Sequence, residues 1–69
     1  MTIKDGIKLS TARINANMNL QTVSEKTGFS VPKLSNWENG LKINKEDFKK
    51  LCKLYKVDEK DVNANVEGI

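Results

Sequence analysis

The sequence predicts an all-α fold of five short helices in a single domain spanning residues 1–69, with its core at 5–62 and a frayed tail at 63–69. Three observations carry this reading. Apolar residues recur at helical spacing, most clearly Phe48, Leu51, Cys52 and Tyr55 at i, i+3, i+4 and i+7. Asn, Ser or Asp stands where each helix start needs a side-chain acceptor. Gly28 and Gly40 fall just past the ends of the second and third helices, where a glycine is the usual terminator.

Asp5 is placed to cap a first helix over roughly residues 6–17, with Leu9, Ala12, Arg13 and Ala16 along one stripe. Asn19 caps the second, with Met18 before it and Val23 four residues after it in hydrophobic-staple relation. Gly28 supplies the positive φ that ends that helix sharply. Ser30 is then placed to cap a third helix, with Phe29 and Leu34 as its staple, and Asn39-Gly40 closes it. Pro32 disfavours the α region for Val31, which leaves Val31 as an alternative cap with the helix starting at Pro32. Asn44 caps a fourth helix and Asp47 answers at its third position, while Lys45, Lys49, Lys50, Lys53 and Lys56 point away from the apolar stripe. Asp58, with Asp61 three residues on, starts a short fifth helix, and residues 63–69 show no periodicity. The second and third helices with their tight turn form a helix-turn-helix, which can seat one helix in a DNA major groove.

Composition narrows the alternatives. Sixty-nine residues make one small core that suffices only narrowly without staples. One cysteine and no histidine leave neither an intramolecular disulfide nor a zinc site, so neither metal nor cofactor is expected. Cys52 reads as a buried, reduced thiol of a cytoplasmic protein. No apolar run is long enough for a signal peptide or a membrane span. Without histidine, an activated nucleophile or a phosphate-binding glycine loop, an enzyme is not expected. Residues 1–56 carry eleven Lys/Arg against five Asp/Glu, a net +6, and residues 57–69 carry one Lys against four acids, a net −3. A polyanionic partner suits the basic body.

The chain resembles the Cro/lambda-repressor type of helix-turn-helix domain, an XRE-like family of small phage and bacterial regulators with five helices. The resemblance covers about residues 5–62. It rests on Arg13, on Val23-Ser24-Glu25-Lys26-Thr27-Gly28, and on Ser30 with Leu34-Ser35-Asn36-Trp37-Glu38-Asn39-Gly40. Phe48, Leu51, Cys52, Tyr55 and Val57 match the fourth helix. Four positions depart from the family pattern. Leu20 stands where a phosphate-binding Gln is frequent, Thr27 where an aliphatic residue is usual, and Val31-Pro32 where many relatives carry polar readers. The resemblance implies an ion pair between Arg13 and Glu38 that fixes the first helix against the end of the third.

With Leu34 inward at 100° per residue, Trp37 and Glu38 lie on the inner half, while Pro32, Ser35, Asn36 and Asn39 project outward and Lys33 lies to one side. The candidate base contacts are Asn36, Lys33, Pro32 and Val31. Asn36 offers a donor and an acceptor to adenine, Lys33 suits guanine or a phosphate, and Pro32 can pack against a thymine methyl or a sugar. Candidate phosphate contacts are Asn19, Gln21, Ser35, Asn39, Lys42 and Lys45. The remaining fourth-helix lysines read as a solvated face. The partners implied are double-stranded DNA and a second copy of the chain, weakly associated, on an inverted repeat whose half-sites lie about 34 Å apart. The alternative is an antirepressor that binds another regulator through apolar Val31, Pro32 and Leu20.

Overall fold

The computed structural model describes residues 6–67. Strand β1 (Ile7–Lys8) leads directly into α1 (Leu9–Asn15). Helices α2 (Leu20–Thr27), α3 (Val31–Glu38) and α4 (Lys45–Tyr55) follow, then a 3-10 turn at Glu59–Asp61 and strand β2 (Val62–Asn63). The described residues thus hold four α-helices, and the expected fifth is the single 3-10 turn. A stretch this short cannot repay helix nucleation, and Val62 is extended so that it can pair with Ile7.

The first helix is also shorter than the 6–17 expected. Ile7 and Lys8 pair in parallel with Val62 and Asn63, which displaces the helix start to Leu9. Lys8 takes the N-cap position without a side-chain bond, and the expected cap, Asp5, lies outside the described residues. Gly6 permits the close approach of the two segments. A Cβ there would stand 2.6 Å from the Asp61 carbonyl carbon and 2.9 Å from Val62 N.

Residues 63–67, where a frayed tail is expected, are hydrogen-bonded to the rest of the domain. Ile43 and Val66 form a parallel bridge in which Ile43 N–H donates to the Asn65 carbonyl at 2.9 Å and Glu67 N–H to the Ile43 carbonyl at 2.7 Å. The Asn65 side-chain amide donates to the Gly40 carbonyl at 3.1 Å. The segment is held by backbone bonds rather than by an apolar stripe, so periodicity carries no trace of it.

All four residues of the α4 stripe, Phe48, Leu51, Cys52 and Tyr55, are buried together with Leu9, Ala12, Val23, Leu34, Trp37, Ile43 and Val62. Burial, reinforced by Glu59 and Asp58, pushes the Cys52 thiol up to about 11. Burial, then Glu38, pushes the Tyr55 phenol up to about 12. No helix of the described residues is long and apolar enough to cross a membrane.

Candidate nucleic-acid interface

The α2–turn–α3 unit is built by local hydrogen bonds. Asn19 Oδ1 accepts from Thr22 N–H at 2.8 Å, which commits that side chain to capping. The N–H groups of Leu20 and Gln21 remain the free donors at the positive end of the helix. The Gln21 amide donates to Glu25 Oε2 at 3.3 Å. Gly28 ends α2 at φ 86°. Thr27, the departure from an aliphatic residue, knits the turn: its hydroxyl donates to the Val23 carbonyl at 2.7 Å and accepts from Phe29 N–H at 3.2 Å. Ser30 Oγ accepts from Lys33 N–H at 3.3 Å, so Ser30 is the N-cap and Val31 is already helical. Pro32 falls in the first turn, where its missing N–H costs nothing. At the other end Gly40, at φ 103°, donates to the Trp37 carbonyl at 3.2 Å, and Leu41 N–H to the Asn36 carbonyl at 3.0 Å. That is a Schellman closure.

Helix α3 buries Leu34 and Trp37 and leaves Pro32, Lys33, Asn36 and Asn39 exposed, with Val31 and Ser35 half-buried. Among the described residues nothing hydrogen-bonds the Asn36 side-chain amide, so both its donor and acceptor are free. Lys33 is placed differently from the outward candidates. Its Nζ lies 5.6 Å from the Trp37 ring centroid and 5.9 Å from that of Phe29. Those rings meet edge to face at 5.0 Å and 83°. Lys50, from α4, brings its Nζ to 5.7 Å from the same Phe29 ring. The sequence marked Phe29 only as a staple, and nothing in it brings Lys50 to that ring.

Arg13 and Glu38 meet directly. Arg13 Nε donates to Glu38 Oε2 at 2.7 Å, and Nη2 donates to Oε1 at 3.3 Å. Nη1 donates to the Met18 carbonyl at 3.0 Å. Donating to the Glu38 carboxylate holds the Arg13 pKa above its ordinary value. One guanidinium therefore ties α1 and the residue before the Asn19 cap to the end of α3. Lys42 and Lys45 are exposed at the α3–α4 connection, which the Ile43 bridge and the Asn44 cap on Asp47 N–H (2.9 Å) hold in place. Glu46 and Asp47 share the first turn of α4 with Lys45.

A buried inner face, a glycine-ended turn and an exposed polar outer face on α3 define a helix-turn-helix domain, a DNA-binding regulatory module. A family described as helix-turn-helix domain matches residues 6–68, and the chain belongs to that XRE-like family. No curated protein and no solved structure matches the chain.

Proposed function

We propose that the chain is a sequence-specific transcriptional regulator that lays α3 in the major groove of double-stranded DNA, two copies binding an inverted repeat. The observation that supports this reading best is the division of α3. Its inner side is fixed by Leu34, Trp37 and Glu38, and its outer side presents Pro32, Asn36 and Asn39 unencumbered. Asn36 is the principal base reader, through bidentate bonds to adenine. The N–H groups of Leu20 and Gln21, with Ser35, Asn39, Lys42 and Lys45, take phosphates and set the register. Selection of duplexes from a random library, followed by anisotropy titration, tests it. Enrichment of an inverted repeat with centres about one helical turn apart is expected. Enrichment of no sequence, even at low salt, would end the proposal.

Lys33 lying on the aromatic pair, beside apolar Val31 and Pro32, favours a second reading in which this face binds another regulator. In that case Val31→Asp or Leu20→Asp abolishes co-purification with the regulator, and Asn36→Ala changes nothing.

A further inference from the structure

Two of the lysines that amphipathic patterning assigns to a solvated face, Lys50 and Lys53, are gathered with Lys26. Lys26, Thr27, Lys50, Lys53 and Leu54 line one shallow cleft between the end of α2 and α4. Lys50 and Lys33 each hold an ammonium within 5.9 Å of the Phe29 centroid, so the run of lysines continues past that ring onto α3. All four lysines are exposed, and among the described residues no carboxylate forms a salt bridge with any of them. Lys53 also borders a groove holding Asp58 and Glu59, which marks the acidic limit of the patch.

We infer that Lys26, Lys50 and Lys53, joined to α3 through Lys33 and Phe29, form a second phosphate-binding surface that grips the DNA backbone beside the base pairs α3 reads. This deepens the DNA-binding reading and rests on it. Four like charges held together without salt-bridge partners cost folding free energy that a polyanion would recover. Lys50 and Lys53 are one i,i+3 step apart, about 4.5 Å of helix rise. Successive phosphates of one strand advance by about 3.4 Å along the duplex axis, so neighbouring phosphates suit the pair. An acidic polypeptide suits the patch less well, because protein interfaces need a desolvated anchor pocket and the cleft offers only half-buried Leu54 as apolar floor.

The test uses the full chain and a duplex selected as above, titrated by anisotropy across a salt series. The triple variant Lys26→Gln/Lys50→Gln/Lys53→Gln should lower the slope of log K against log salt by about 2–3, at about 0.9 per phosphate lost. Base preference should not move, and the thermal midpoint should hold or rise as the like-charge repulsion is relieved. The matching triple to Arg should keep the wild-type slope. A charge-matched control, Lys8→Gln/Lys56→Gln/Lys60→Gln, should stay near it. A wild-type slope in the Lys26/Lys50/Lys53 variant, while Lys42→Gln still lowers it, would overturn the inference and leave the DNA reading standing. The same slope with lost retention on immobilised polyglutamate would overturn it in favour of an acidic polypeptide. A wild-type chain that binds no duplex would instead overturn the reading beneath it.

Discussion

Glu38→Ala should unfold this domain more readily than any loss of apolar contact at position 38 would suggest. The substitution takes two hydrogen bonds and the counter-charge from Arg13, leaving its guanidinium only the Met18 carbonyl at 3.0 Å. Stranding one member of a fully buried pair costs about 3–5 kcal/mol. Here the side chains keep 15% and 13% of their surface, so water relieves part of that cost and the loss is about 2–3 kcal/mol. A domain of 69 residues is held by roughly 3–10 kcal/mol in all. At about 4–8 °C per kcal/mol, the thermal midpoint should fall by about 10–20 °C. Glu38→Gln, which keeps an acceptor in place, should cost about half as much. Urea unfolding followed by circular dichroism, on Arg13→Ala, Glu38→Ala and the double variant, measures the coupling. The double variant should lose less than the two single losses together, because it strands neither charge. A loss below about 0.5 kcal/mol for Glu38→Ala, the level of an exposed pair, would refute the reasoning.

Lys56 occupies the left-handed region at φ 60° as the α4 terminator, so Lys56→Gly should raise stability by about 1 kcal/mol, read as a higher thermal midpoint. Asn36→Ala should erode discrimination at one base pair by about 1–3 kcal/mol with the salt slope unchanged, whereas Lys42→Ala should weaken all sequences alike and lower the slope by about one. Competition titrations at several salt concentrations separate the two. Cys52 keeps its proton in the folded state up to about 11, against an ordinary 9.0, so unfolding releases a proton in that window. Stability from this group is therefore complete below pH 9 and lost as pH rises to about 11, and Cys52→Ala should show a shallower decline over that range.

The helices were legible where side-chain chemistry and periodicity agree. Asn19, Ser30 and Asn44 each accept the hydrogen bond their position predicts, and the α4 stripe is buried at every position named. What escaped was decided by backbone geometry or by distance along the chain. Gly6 gives no sign in a single sequence that it lies against Asp61 and Val62. The Ile43–Val66 bridge needs no pattern of side chains, and it turns an aperiodic tail into a clamp on the α3–α4 connection. Thr27 reads as a lapse from an aliphatic position, yet its hydroxyl satisfies Phe29 N–H across the turn. At the candidate interface, helical rotation sorted the faces of α3. It had no means of seeing that Lys33 lies toward two rings, or that Lys50 of α4 shares one of them.

The restraints on α3 bear on how such a domain can change what it reads. Its start is held by Ser30 and by the Thr27 hydroxyl, its length by Leu34 and Trp37, and its end by Gly40 and by Glu38 on Arg13. None of these groups belongs to the exposed set of Pro32, Lys33, Asn36 and Asn39. Substitution of Pro32, Asn36 or Asn39 therefore leaves the packing intact and alters only what the helix meets, whereas Lys33 also covers the Trp37 and Phe29 rings. Arg13 goes further than packing, because the same guanidinium binds Glu38 at the end of α3 and the Met18 carbonyl just before the Asn19 cap. It fixes the distance between the helix that faces outward and the N–H groups that begin α2. If α3 reads bases and the start of α2 holds a phosphate, as proposed, the two must keep one register on a duplex, and a single side chain bridges the ends of both.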